Sequence, residues 1–357
     1  MERTESGALM YIKSKKSLWH LAALITASVF GSLVIADEVT PSSVSEPAPV
    51  EEVVAGTRLV LLGTQGGPNI RKLRAQPASL LVVDGHPYLV DAGSGVSRQL
   101  KWAGFDPENI TEVFLTHLHL DHIAGLAPVL GLAWTRGKPE SFEVYGPPGT
   151  GDFIDGARAY LRDPLKIYAA QLPPRPSLDE FINSHDIDLK KSSVVFEDER
   201  VKVTAVINSH YSTLDTDSLF EYPIESYAYR FDSKDRSIVF TGDTGPSDAV
   251  AELAKGADIL VSEVMDIDQT MKHFAKLYSD PSPEKIQSTK AHLAHMRHEH
   301  LTSEDLGKLA QKANVKMVVL SHIIMGTDEE TDYLHYVNGV RRYYSGIIVA
   351  GQDLDQF

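Results

Sequence analysis

The chain has no cysteine among its 357 residues. Disulfides, thiolate nucleophiles, thiolate metal ligands and a lipid-modified N-terminal cysteine are therefore all excluded. Positive charge is also in short supply. There are 34 Lys and Arg against 49 Asp and Glu, a formal charge of -15 and a pI near 5.4. A surface of that sign argues against broad, sequence-independent binding of nucleic acid. It leaves room for a small anionic substrate if bound metal ions supply local positive charge.

What the chain does have begins with an apolar run over residues 18–36, preceded by Lys13, Lys15 and Lys16 and closing on Val34-Ile35-Ala36. This is the pattern of an export signal with a cleavage point near Ala36. The run is nearly long enough to span a bilayer, so an uncleaved anchor is the alternative, and the only contact with a membrane the sequence suggests. Residues 37–56, with Pro41, Pro47 and Pro49, read as a disordered tether. Residues 57–357 are long enough for one large α/β domain. A periplasmic or extracellular location follows for that domain.

Short apolar runs mark its strands: 58–63, 79–83, 88–91, 113–115, 143–146, 201–207, 227–231, 237–240, 257–261 and 315–320. Helices are expected over 96–103 with Gly104 as the stop, over 123–134, around 153–161, and over 303–313 with Thr302 or Ser303 as N-cap. His86 falls in a hairpin turn and reads as exposed. The stretch 64–68, Thr-Gln-Gly-Gly-Pro, lacks the Lys-Ser/Thr ending of a phosphate-binding loop and reads as a mainly structural turn. Residues 150–190 break at Pro173-Pro174-Arg175-Pro176 and belong to a loop region that shapes the substrate mouth.

The centre of the sequence is Thr116-His117-Leu118-His119-Leu120-Asp121-His122, directly after the run Val113-Phe114-Leu115. It offers three imidazoles and a carboxylate, a set suited to a borderline cation such as Zn²⁺. In extended backbone His117 and His119 point the same way and can grip one ion. Asp121 and His122 fall where the chain turns and can face a second. The competing reading is a solvated histidine-rich loop, which does not explain this order just after a buried strand. Further along, His210, Asp243 and His322 each stand just past an apolar strand. One such residue is commonplace; the four features together are not.

His-x-His-x-Asp-His after a short strand, followed in order by a His, an Asp and a His, resembles the signature of the metallo-β-lactamase superfamily of metal-dependent hydrolases. The branch it is most similar to holds ribonuclease Z and arylsulfatase-like enzymes. The resemblance covers roughly residues 58–356. It implies an αβ/βα sandwich, two mixed sheets with outer helices. It also implies two divalent metal ions, Zn²⁺ first among the choices. His117, His119 and His210 would hold one ion; Asp121, His122 and His322 would hold the other; Asp243 would bridge them. Asp91 would support the metal loop without being a ligand. A hydroxide shared between the ions would be the nucleophile. His300, in His298-Glu299-His300-Leu301-Thr302, matches the His-Ser/Leu-Thr element of that branch and would act as general acid. Asp121 counts beside it among the catalytic residues. The missing cysteine sets aside superfamily types with a cysteine ligand.

Glu299 is the residue expected to orient His300. His292 and His295, three apart, are expected on the solvent face of a helix, and His185, His273 and His335 on the surface. The function this supports is an exported dinuclear hydrolase of a small phosphate or sulfate ester. The alternatives are a ribonuclease Z-like phosphodiesterase acting on transfer RNA, a lactone or β-lactam hydrolase, and a non-catalytic binding protein on the same fold. No ligand position is lost, which disfavours the last. A homodimer is compatible with the sequence.

Overall fold

The structure is a computed structural model. It describes residues 55–357 except 215–219, 278–281, 325–327, 329 and 331, with side chains also left aside at 273–277, 283–286, 288–289 and 291–292. The leader and most of the tether expected over residues 1–56 lie outside the described residues.

The strands are β1 (Thr57–Gly63), β2 (Ala78–Val83), β3 (His86–Val90), β4 (Glu112–Phe114), β5 (Phe142–Gly146), β6 (Ile182–Asp186), β7 (Ser193–Glu197), β8 (Lys202–Ile207), β9 (Tyr227–Asp232), β10 (Ser237–Phe240), β11 (Ile259–Met265), β12 (Met317–Ile324) and β13 (Ile347–Ala350). The helices are α1 (Val96–Trp102), α2 (Leu120–Ile123), α3 (Leu126–Arg136), α4 (Thr150–Ala169), α5 (Leu178–Phe181), α6 (Asp248–Leu253), α7 (Ile267–Leu277), α8 (Pro283–Glu299), α9 (Ser303–Ala313) and α10 (Leu334–Arg341). None of the described helices is long and apolar enough to cross a membrane.

Strands β1 to β6 form one sheet in sequence order, and β13-β12-β11-β10-β9-β8-β7 the other. Both are mixed: the first is antiparallel through β3 and parallel beyond, the second antiparallel from β7 to β10 and parallel from β10 to β13. The alternation of side chains explains why β1 and β2 are apolar at nearly every position. Leu59, Leu61 and Leu81 face a core shared with Tyr229, Phe231, Ile238 and Val261 of the second sheet. Val60, Leu62, Leu80 and Val82 face a separate core with Leu100 of α1 and Leu126, Val129 and Leu130 of α3. The second sheet repeats the scheme, burying Val239, Leu260 and Val318 under Val250 of α6, Leu306 of α9 and Val340 of α10. The order of layers is helix, sheet, sheet, helix, as the resemblance implies.

The inter-sheet layer is rich in aromatic rings. Phe114 contacts Tyr145 in a stack and Phe196, Tyr229 and Phe231 edge-on. The open edge of β1 is covered by the C-terminal residues. Leu59 and Phe357 exchange N–H to O bonds of 3.0 Å, and Leu61 N–H donates to Asp355 O at 3.0 Å. An edge strand so paired offers no free ladder to another chain.

Three expectations need correction. The helix read around 153–161 runs from Thr150 to Ala169 through Pro164. The chain after it is not all loop but supplies β6 and β7, the outermost strands of the two sheets. His86 is not in the turn but opens β3, where its ring lies 2.7 Å from Glu112 Oε2.

Candidate metal centre

The site lies along the rim where strands of both sheets end. The segment after β4 delivers His117 and His119, and α2 carries Asp121 and His122. His210 follows β8, Asp243 follows β10, and His322 lies near the end of strand β12 at φ 39°. His117, Asp121, His122, His210, Asp243 and His322 are all buried.

These residues form two groups. In the first, His119 Nδ1 lies 3.1 Å from both His117 Nε2 and His210 Nε2, and Asp243 Oδ2 is 3.9 Å from His117 Nε2 and 4.0 Å from His210 Nε2. In the second, His122 Nε2 is 3.5 Å from Asp121 Oδ2 and 3.4 Å from Asp243 Oδ1. His322 Nε2 is 3.4 Å and 3.3 Å from the same two oxygens. One oxygen of Asp243 thus faces each group. The structure thus brings all seven of the predicted site residues, His117, His119, Asp121, His122, His210, Asp243 and His322, together.

The donor set fits divalent cations. His122 Nε2 and Asp243 Oδ1 are buried without a hydrogen-bond partner, which is costly unless a charge satisfies them. Imidazole nitrogens about 3 Å apart match the edge of a tetrahedron with bonds of roughly 2.0–2.1 Å. Burial holds the imidazoles of His117, His119 and His210 below their ordinary value, His119 at about 4, so they present the neutral form a metal needs. Burial pushes the Asp121 carboxyl up, but His122 and His322 outweigh it and leave it at about 2. Asp243 is likewise held well below the carboxylate range by His322 and His122 against its burial. His122 is the exception: Asp243 and Asp91 overcome its burial and raise it, so this carboxylate-rich half draws positive charge most strongly.

The supports are as specific as the ligands. Asp91 directly follows β3 at φ 57°; its Oδ2 lies 2.8 Å from His122 Nδ1, and its Oδ1 accepts the Thr116 N–H at 2.8 Å. It therefore fixes the ring of one ligand and the start of the loop bearing two more. Gly67 passes so near Asp121 that a Cβ there would lie 1.8 Å from Asp121 Oδ2. The turn over 64–68 is thus one wall of the site.

His300, the C-cap of α8, is buried beside this rim with Nδ1 4.0 Å from Asp243 Oδ2. Its partner is Glu263, whose Oε2 lies 2.7 Å from His300 Nδ1 and whose Oε1 accepts the Thr244 N–H. Burial raises the Glu263 carboxyl and lowers the His300 imidazole, so both are driven toward the uncharged form. The expectation that Glu299 orients His300 is corrected by this contact. Glu299, fully buried, turns the other way: Oε1 accepts the Thr213 N–H at 3.0 Å and Oε2 lies 2.5 Å from His295 Nδ1. Its main-chain oxygen is 2.9 Å from His210 Nδ1.

His295 is likewise not on a solvent face. Its ring centroid is 5.7 Å from that of His210 and 5.5 Å from that of His300. The side chains of His292 and His273 lie outside those described. His185 and His335 are partly exposed and paired with Glu143 and Asp266. Tyr211, which the sequence reading passed over, packs against the first group. Burial and Asp243 raise its phenol, so it stays protonated.

The family model described as the beta-lactamase superfamily domain matches residues 86–323. Among curated relatives, ribonuclease Z of Brevibacillus brevis is 26% identical over 316 residues, covering 76% of this chain and 86% of its own. Ribonuclease Z of Bacillus velezensis is also 26% identical, covering 74% and 87%. Among solved structures, the metallo-beta-lactamase fold protein YhfI of Bacillus subtilis superposes with a TM-score of 0.59 at 17% identity, over 84% of this chain and 98% of its own. Human tRNase Z, short form, does so with a TM-score of 0.56 at 20% identity, over the same shares. The chain belongs to the beta-lactamase superfamily domain family and is a metallo-β-lactamase-superfamily hydrolase near ribonuclease Z.

Proposed function

We propose that this protein is an exported, dinuclear metal-dependent hydrolase of small phosphate or sulfate esters. The observation that carries the dinuclear reading is Asp243, whose two oxygens face two separate groups of ligands. His117, His119 and His210 would hold one ion, and Asp121, His122 and His322 the other. Divalent ions held there supply Lewis acidity and an activated water.

The chain's own residues supply the rest. Asp91 and Thr116 keep the His122 ring and the His117 loop in place. Glu263 occupies Nδ1 of His300 and leaves Nε2 to carry a proton to the departing ester oxygen. Burial takes these side chains out of bulk water, which strengthens the electrostatic contacts among them. Zn²⁺ is the ion best matched to a set of five imidazoles and two carboxylates, and the pattern of residues 13–36 supports export.

Processing of transfer RNA is the second reading, favoured by relatives named ribonuclease Z. The charge of -15 counts against it. The test is turnover by the metal-quantified residue 37–357 protein of bis-p-nitrophenyl phosphate, p-nitrophenyl sulfate, a lactone, a chromogenic β-lactam and a precursor transfer RNA. Preference for a small phosphate or sulfate ester, with two metals per chain, is the expected result; preference for the RNA or for the lactone or lactam overturns it. Asp243→Ala is expected to lose metal from at least one position and activity with it. Two retained metals with full turnover would refute the assignment of the centre.

A further inference from the structure

Tyr211 directly follows His210, and its ring touches every imidazole of the first group. The centroids are 4.7 Å from His210, 5.3 Å from His119 and 6.0 Å from His117. The buried tyrosines among the described residues close their hydroxyls on internal acceptors: Tyr88 on Asp198, Tyr227 on Glu225, Tyr229 on Leu115 O, Tyr336 on Ile324 O and Tyr344 on Val315 O. The Tyr211 hydroxyl, on a half-buried side chain, makes no hydrogen bond among the described residues.

The backbone that carries it is nevertheless clamped. Ser212 N–H donates to Ser209 O and Leu214 N–H to Tyr211 O, both at 3.1 Å, while Thr213 N–H reaches the buried carboxylate of Glu299. Glu299 also holds the His210 ring through its main-chain oxygen. One residue of α8 therefore holds both the His210 ring and the backbone two residues past Tyr211. A ring placed this firmly, with its polar end unspent, is pre-organised for a group that arrives from outside.

We infer that Tyr211 is a substrate-positioning residue, its phenolic O–H donating a hydrogen bond to a non-bridging oxygen of an anionic ester on the His117, His119 and His210 side of the centre. The inference rests on the ester-hydrolase reading above and assigns it a contact. A phenol is a donor at neutral pH, and a hydrogen bond to an anionic oxygen is about twice as strong as one between neutral groups. Such a contact favours phosphate and sulfate esters over lactones and β-lactams, whose ground-state carbonyl carries no full charge.

The test is Tyr211→Phe in the metal-loaded protein, which keeps the ring against the imidazoles and removes only the O–H. Metal content and Tm are expected to match the parent. Affinity for inorganic phosphate, measured by calorimetry, is expected to fall about tenfold, with kcat/KM for bis-p-nitrophenyl phosphate falling by a similar factor. Unchanged phosphate affinity and kinetics would overturn the inference while leaving the ester reading intact. So would loss of metal in Tyr211→Phe, since the hydroxyl would then serve to hold the ligand set together and not to bind a substrate oxygen. A parent protein that neither binds phosphate nor turns over any phosphate or sulfate ester would refute both readings together.

Discussion

Residue by residue, the candidate ligands come from short polar segments: four just past apolar strands, Asp121 and His122 on α2, and His322 within β12; these segments were legible in the sequence. Their supports were not. Glu263 lies within β11, just past the apolar run over 257–261 from which the strand is read, and its contact with His300 across 37 positions distinguishes it from the many carboxylates that follow such runs. Its signal in the sequence was present but weak: a charged residue inside a strand buried at every position. Glu299 stands next to His300 in sequence yet serves His295 and Thr213, because the chain turns sharply at the C-cap of α8. The two glutamates separate experimentally. Glu263→Gln is expected to retain metal and lower kcat by about 10–100-fold, the usual cost of losing a group that orients a functional imidazole. Metal analysis and kinetics together check this. Loss of an ion from Glu263→Gln would instead make Glu263 a ligand, since it also lies near Asp243 and His322.

At the scale of elements, strands with both faces covered declared themselves as apolar runs, whereas β6 (Ile-Asn-Ser-His-Asp) and β7 are edge strands with polar or half-exposed faces and left little pattern. Helix α9 was readable to the residue because Thr302 Oγ1 accepts the Asp305 N–H and Asn314 closes the other end in the left-handed region. Helix α8 carries histidines and charges on all sides and no clear apolar stripe, so neither its extent nor the inward turn of His295 could be read. The turn between β1 and β2 matters more than its glycine-rich sequence suggested. Gly67→Ala places a methyl group against Asp121 and is expected to weaken metal binding at the Asp121, His122 and His322 group first. Metal titration of the variant, read at one and at two equivalents, checks this. Loading identical to the parent would mean the turn moves aside freely.

For the molecule as a whole, the layer order followed from the resemblance, while the closing of the first sheet by the chain's own end did not, since 351–357 has no apolar pattern of a strand. That end is pinned by Asp353, whose Oδ1 accepts the Thr64 N–H at 3.0 Å and whose Oδ2 accepts the Ala75 N–H at 2.6 Å and a Gln99 Nε2–H at 2.9 Å. Asp353→Ala strands those donors and is expected to cost about 2–3 kcal/mol. Chemical denaturation at constant metal loading checks the figure; a loss under about 0.5 kcal/mol, typical of ordinary surface changes, would show that the tail contributes little. The same pairing sets the polarity of the molecule. Leu59 and Phe357 are hydrogen-bonded partners, so both ends of the described domain meet at the start of β1. The strand then runs seven residues, about 23 Å, towards the turn that walls the metal centre. A tag, resin or fusion partner joined at residue 57 or at residue 357 therefore attaches on the same side, about a strand's length from the turn that walls the candidate centre.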